Sequence, residues 1–168
     1  MLYVMNSYLH NRKGEASLNA KRITTNQELE QAFSIRKTVF VEEQGVPLTD
    51  EFDEFDQLDG RCEHILAYYE DQPAGTGRIR WVEGVGKLER ICVLESFRKF
   101  GLGKVIIKGL EDIAAEQGSS RVKLHGQTQA EGFYHKLGYQ TSSDVFMEDG
   151  IPHLLMTKEL ISEGSLEG

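Results

Sequence analysis

Very little in this sequence is built for staples, membranes or polyanions. Cysteine occurs only at Cys62 and Cys92, far apart and in no CxxC or metal-ligand spacing, so disulfide frameworks and cysteine-based metal sites are excluded and reduced, packed thiols are expected. No apolar run approaches the roughly 20 residues that a membrane-spanning helix needs. The segment from Met1 to Arg12 lacks the basic stretch followed by an apolar stretch that marks a secretory signal, which points to the cytoplasm. Basic excess is missing too. A formal net charge of -8 argues against nucleic acid as a main partner, because phosphate backbones need a basic face, while leaving room for a cationic substrate such as an amine.

What is present suits one globular domain. The 168 residues, 39% hydrophobic and 27% charged, are enough to bury a core. Residues 1–20 are polar and without period and read as an extension; 161–168 read as a tail. Between them the pattern predicts a mixed α/β domain over 21–160. Lys21 to Thr24 forms a short first strand. Thr25 and Glu28 make a capping box that opens a helix from Asn26 to about Phe40, with Leu29, Ala32, Phe33 and Arg36 at helical spacing. Residues 49–61 are dense in carboxylates, with Phe52, Phe55 and Leu58 at three-residue spacing. They read either as a solvated acidic loop with aromatic anchors or as a wall of a substrate site.

Strands follow at His64 to Tyr69, Ala74 to Val82 and Lys87 to Leu94. Alternation along the last puts Leu88, Cys92 and Leu94 on one face and Glu89, Ile91 and Val93 on the other, as in a strand covered on both sides. A helix from Gly101 to Gln117 carries Leu102, Val105, Ile106, Leu110, Ile113 and Ala114 on one stripe and ends at Gly118. Then come a strand from Arg121 to Gly126, a second capping box at Thr128 and Glu131 opening a short helix, and a hairpin across Glu148-Asp149-Gly150.

One segment carries chemistry. Arg98-Lys99-Phe100-Gly101-Leu102-Gly103 sits between a buried strand and an amphipathic helix. Its glycines remove β-carbons where backbone can touch a ligand. The helix start offers unpaired N–H groups and the positive end of the dipole, and Arg98, Lys99 and Lys104 add charge suited to phosphates. Neither the GxxxxGK[ST] spacing nor the three-glycine dinucleotide fingerprint is present. The acidic stretch does not follow the calcium-loop spacing and no His/Cys cluster accompanies it, so no metal is expected.

Arg98-x-x-Gly101-x-Gly103 resembles the cofactor motif of the GNAT superfamily of N-acetyltransferases, and Ala130-Glu131-Gly132-Phe133-Tyr134-His135-Lys136-Leu137-Gly138-Tyr139 resembles its second element. Arg36 to Val46, the acidic Glu51 to Asp56 and Glu148 to His153 resemble the ElaA- and YjcF-like branch. The likeness covers about residues 21–160 and implies a GNAT fold, in which the strand before the motif and Arg121 to Gly126 run parallel and splay apart around acetyl-coenzyme A. It implies backbone contacts from Ile91, Cys92 and Val93 to pantetheine, and from Lys99, Phe100, Gly101, Leu102, Gly103 and Lys104 to pyrophosphate, with Arg98 beside them. Phe100 departs from the small or basic residue common there. Tyr134 matches the superfamily's usual acid, a phenol that stays protonated and donates to the departing thiolate. Glu89 is read as the base, directly or through water, with a salt bridge to a neighbouring arginine as the plainer role. His64, His125 and His153 are rivals for the base, and Gln127 is read as bonding cofactor or substrate. The expected function is transfer of acetyl to a small-molecule amine. The alternatives are a non-catalytic acyl-coenzyme A sensor or interaction module on the same fold, and a nucleotide-phosphate binder. A homodimer is left open.

Overall fold

The structure, a computed structural model, describes residues 16–160. Among the described residues eight strands and four α-helices follow one another in the order β1 (Leu18–Arg22), α1 (Asn26–Arg36), α2 (Leu48–Glu51), β2 (Cys62–Tyr69), β3 (Gln72–Val82), β4 (Val85–Val93), α3 (Leu102–Glu116), β5 (Arg121–Gln127), α4 (Glu131–Lys136), β6 (Gln140–Thr141), β7 (Phe146–Glu148) and β8 (Ile151–Glu159). The strands form one mixed sheet in the order β1-β2-β3-β4-β5-β8-β6, with β7 paired to β8. The chain divides into two compact units, Met1–Arg78 with Arg90–Leu110 and Ile79–Glu89 with Glu111–Gly168.

In the first unit β1 pairs antiparallel with β2 from Leu18↔Tyr69 to Arg22↔Ile65. The strand therefore begins inside the stretch read as an extension and ahead of Lys21; residues 1–15 and the tail at 161–168 lie outside the described residues. The Thr25 capping box is present, its hydroxyl accepting from the Glu28 N–H while the Glu28 carboxylate accepts from the Thr25 N–H. The α-helix that it opens stops at Arg36 rather than Phe40. The chain continues as a π-helix, Lys37–Glu43, whose wider turn still buries Val39. Leu29, Ala32 and Ile35 of α1 pack with Ile23, Leu66 and Cys92, each large apolar side chain contributing about 1.5–3 kcal/mol by leaving water. Small residues let α3 approach β3: a β-carbon on Gly75 would fall 2.9 Å from Ile106 and 3.0 Å from the Cys92 carbonyl.

The second unit holds the parallel ladder Gly86↔Val122, Lys87↔Lys123 and Leu88↔Leu124, and the longer antiparallel ladder of β5 with β8. The β7–β8 hairpin turns at Asp149-Gly150, both left-handed as a two-residue type I′ turn requires. The capping box expected at Thr128 does not form. The chain takes a 3₁₀ turn over Thr128–Ala130 first, so α4 starts at Glu131 behind Ala130 and Glu131 occupies the first turn's opening position instead of its third. A buried triad closes this unit: the Tyr139 hydroxyl donates to Glu111 at 2.7 Å and the Lys158 ammonium reaches the same carboxylate at 3.0 Å. Burial first, and Glu111 second, push the Tyr139 phenol far up.

Strand β4 is not regular. Arg90 stands at φ 54°, a left-handed conformation that a non-glycine residue adopts at a cost. Gly86 faces Ala114 of α3, while Ile91, Ile106 and Leu110 crowd the same point above Gly77. An even and an odd position on one helix-facing side require the one-residue shift of a β-bulge. Leu88 and Ile91 therefore share a face, Cys92 takes the opposite one, and Glu89 does not lie with Ile91 and Val93 as unbroken alternation predicts.

Candidate active site

The segment from Arg98 to Lys104 folds as its sequence pattern requires. After β4 the chain makes a 3₁₀ helix, Glu95–Phe100, then a left-handed Gly101 at φ 82°, and α3 begins at Leu102. A β-carbon on Gly101 would meet nothing within 4 Å, so its conformation and not crowding selects glycine. Lys99, Gly101 and Lys104 are exposed, and the first N–H groups of the 15-residue α3 have no partner within the helix. Those are the requirements of an anion cradle, and a pyrophosphate fits them.

Arg98 is tied to the end of β4. Its Nε donates to the Val93 carbonyl at 3.0 Å and its Nη2 lies 2.7 Å from Glu43. These contacts fix the 3₁₀ turn against the end of β4, and Arg98, Lys99 and Lys104 are all exposed there. Phe100, the departure from the family pattern, stacks on Tyr69 with ring centroids 4.3 Å apart, and Tyr69 also touches Phe97. Cys92 is buried and its thiol is pushed up by burial, so Cys92 offers main chain rather than a nucleophile.

Tyr134, on α4, is buried, and burial alone pushes its phenol up to about 12. Its ring lies against Gly126: a β-carbon there would fall 2.9 Å from the ring edge, so only glycine leaves the tyrosine this seat. The hydroxyl makes no hydrogen bond among the described residues. Glu89 is gripped by Arg80 at 2.9 Å and Lys87 at 3.1 Å. The Gln127 side-chain oxygen accepts from Gln129. Of the three rival histidines, His64 is buried, bonded to the Phe55 carbonyl at 3.1 Å and shifted down by burial. His125 and His153 both meet Glu148.

The acidic segment holds the feature that sequence reasoning missed. Arg36, Arg78 and Arg90 interlock with Glu51, Asp53 and Asp56. Arg36 donates to Glu51 at 3.0 Å and forks onto Asp56, while Arg78 spans Asp53 at 2.7 Å and Asp56 at 2.9 Å. Arg90 donates to the Glu51 carbonyl at 3.2 Å. Three cations face three carboxylates, and both Arg36 and Arg78 have side chains only 2% exposed. Burial works to raise Asp53, but the hydrogen bond and charge of Arg78 outweigh it and hold the acid at about 2. Glu51 moves the other way: burial raises it, and Arg36 and Arg90 only partly offset that. The helical spacing of Arg36 inside an apolar stripe was the available signal for a buried cation.

Among the described residues no group of His, Cys, Asp and Glu could hold a metal ion, and no helix is long and apolar enough to cross a membrane.

Residues 31–160 match the Acetyltransferase (GNAT) domain, and the chain belongs to this acetyltransferase family. A Bacillus subtilis protein named as an acetyltransferase is 66% identical over 142 residues, covering 84% of this chain and 97% of that protein. The Bacillus subtilis N-acetyltransferase YjcF is 49% identical over 134 residues, covering 79% and 94%. The crystal structure of Escherichia coli ElaA superposes with a TM-score of 0.74 at 25% identity, over 84% of this chain and 99% of ElaA. The eight-stranded mixed sheet flanked by helices is this family's fold.

Proposed function

We propose that the protein moves the acetyl group of acetyl-coenzyme A to a primary amine on a small molecule, by direct attack in a ternary complex in the cytoplasm. The observation that carries this reading is the sequence of strand end, 3₁₀ turn, left-handed Gly101 and α3 start on which the family's cofactor motif falls. In this reading the main-chain N–H groups from Lys99 to Lys104 hold the pyrophosphate, with Lys99 and Lys104 adding charge and Arg98 fixing the turn. Main-chain groups of Ile91, Cys92 and Val93 hold the pantetheine arm, and Gln127 contributes a polar side chain. The cofactor supplies an activated acyl thioester.

Tyr134 is assigned as the acid. A phenol at about 12 is fully protonated at neutral pH, as a donor must be. It is also a weaker acid than a thiol near 8.5, so complete transfer to the sulfur is uphill by roughly 5 kcal/mol. Tyr134 therefore acts by donating a hydrogen bond that strengthens as the carbon–sulfur bond breaks, and the thiolate takes its proton from the amine nitrogen. Glu89 is assigned to the path by which the ammonium loses its first proton, through water, with Arg80 and Lys87 fixing its carboxylate.

The test is initial-rate turnover of acetyl-coenzyme A against a broad panel of amines, repeated with Tyr134→Phe. Turnover of the best amine falls about 10²-fold, the lower end of general-acid assistance, while acetyl-coenzyme A affinity by calorimetry stays within a few-fold. Acetyl-coenzyme A binding with no amine turned over would replace this reading with that of a non-catalytic acyl-coenzyme A sensor.

A further inference from the structure

The second unit contains a polar cluster that the assignment above leaves idle. His125 Nδ1 and Glu148 Oε1 are 2.9 Å apart. The other carboxylate oxygen of Glu148 lies 3.7 Å from His153 Nε2, and His153 is fixed through its Nδ1, 2.7 Å from the Ile151 carbonyl. Phe146 braces both rings: its centroid is 5.0 Å from that of His125, edge to face, and 6.1 Å from that of His153, stacked. A carboxylate at Nδ1 fixes the tautomer, because Nδ1 must carry the hydrogen and Nε2 then presents a lone pair. Nε2 has no hydrogen-bond partner among the described residues, and the His125 side chain is 28% exposed.

Position in the strand adds to this. The parallel ladder ends at Leu88↔Leu124, so His125 is the first residue of β5 beyond it, and Gly126, the seat of the Tyr134 ring, is the next. Alternation and register put Lys87, Glu89, Lys123, His125, Gln127 and His153 on one sheet face. His125 is thus a tautomer-fixed imidazole with an open nitrogen, one residue from the glycine that seats the assigned acid.

We propose that His125, oriented by Glu148, accepts the proton that the acceptor ammonium loses before attack, with Glu89 and water on the same sheet face as the route to it. This rests on the acetyl-transfer reading. The ammonium gives one proton to His125 Nε2, and the neutral amine forms the carbon–nitrogen bond as the carbon–sulfur bond breaks. The second proton shed by that nitrogen ends on the sulfur, which Tyr134 stabilises by its hydrogen bond, and the imidazolium releases its proton to solvent. The products are the amide, the free thiol and one proton. Glu148 is a positioning residue: it holds the tautomer and stabilises the imidazolium. The charges around the pair are Glu148, His153, Lys87, Lys123 and Glu89. The hydrogen bond to His125 is the largest influence lowering the Glu148 acid, opposed by burial and aided by His125, His153 and Lys87.

The experiment is the pH profile of kcat/KM for the best amine, for the parent, His125→Gln, Glu148→Gln, Glu148→Asp and Glu89→Gln. The parent shows an acid limb where imidazolium forms. His125→Gln lowers kcat/KM about 10²-fold at pH 7 and abolishes that limb, with acetyl-coenzyme A affinity within a few-fold of the parent. Glu148→Gln moves the limb lower by about one pH unit, because the imidazolium loses its counter-charge, and Glu148→Asp restores part of the shift. If His125→Gln does not fold, the shift in Glu148→Gln decides alone. A folded His125→Gln that keeps the parent's limb overturns the proposal, as does a limb unmoved in Glu148→Gln or one lost only in Glu89→Gln. A parent that turns over no amine overturns it together with the acetyl-transfer reading; the other failures leave that reading standing.

Discussion

Replacing Arg36 by methionine keeps the apolar stem and removes the guanidinium from beneath the acidic segment. Four hydrogen bonds vanish at once: Nε to Glu51, Nη2 to the Glu51 carbonyl, and the two-pronged contact with Asp56. So does the stacking over Phe52, whose centroid is 4.9 Å from the guanidinium carbon. Asp56 keeps Arg78 at 2.9 Å, but Glu51 is left with Arg90 at 3.4 Å. Breaking a buried pair from one side costs about 3–5 kcal/mol, because the remaining charge is neither solvated nor paired. For a chain of this size that lowers Tm by roughly 6–20 °C. The pH dependence distinguishes this cause from lost packing. Glu51 is already raised by burial and rises further without Arg36, so its penalty is fully present above its folded value and fades as the carboxyl takes up a proton. Urea unfolding of parent and Arg36→Met at pH 7.5 and at pH 5 gives a smaller difference at the lower pH. Arg36→Lys falls between the two at pH 7.5, since it keeps the charge and loses the fork. A loss under about 1 kcal/mol at pH 7.5 would refute the reasoning, as would a loss that does not change with pH.

Asp53 and Asp56 are both held low: burial works to raise each, and the arginine hydrogen bonds and charges outweigh it. The stability they contribute is present above the ordinary aspartate range and is lost as pH falls through their folded values, so the parent's acid unfolding by circular dichroism steepens below about pH 4. Asp53→Asn makes that limb shallower, and an unchanged profile would remove Asp53 from the account. Gly101→Val forces a β-branched residue to φ 82° in otherwise open space. Acetyl-coenzyme A affinity by calorimetry falls at least about tenfold while Tm drops only a few degrees, since the strain of one left-handed residue is about 1–2 kcal/mol. Unchanged affinity would remove the segment from the cofactor site.

Local rules made much of this legible in advance. The Thr25–Glu28 box, the α3 stripe ending at a left-handed Gly118 and the turn at Asp149-Gly150 each depend on residues within a few positions, and each stands where the pattern put it. Misreadings arose where distant groups decide. Nothing near Thr128 marks the 3₁₀ turn that displaces its capping box, and periodicity cannot register a bulge at Arg90. Local pattern leaves the carboxylates of 50–59 open between a solvated loop and a site wall, because the partners of Glu51, Asp53 and Asp56, namely Arg36, Arg78 and Arg90, lie on three other elements. Local pattern does not link His125 and His153 to Glu148, and the β7–β8 hairpin brings Glu148 to both.

The bulge and the acidic segment are one device. Left-handed Arg90 is strained by about 1–3 kcal/mol unless its surroundings fix it, and here the surroundings do so by hydrogen bonding. The Glu51 carbonyl takes its Nε at 3.2 Å, and Asp53 lies 3.6 Å from its Nη2. Glu51 and Asp53 are in turn held by Arg36 and Arg78. The bulge shifts the parity of β4 ahead of Ile91, which sends Cys92 into the core with α1. At the far end of β4, Arg98 takes the Val93 carbonyl and anchors to Glu43. The stretch from Ile91 to Val93 is therefore clamped at both ends by arginines whose own partners come from outside the strand. Pairing on the β3 side continues to Leu94, whose N–H donates to the Ala74 carbonyl at 2.8 Å, while the ladder with β5 ends at Leu88↔Leu124; under the proposed function the β5 side of Ile91 to Val93 is where the pantetheine arm adds. Glu51, Asp53 and Asp56 thus hold the end of β4 in shape, while Glu54 and Asp59 pair locally with Arg61.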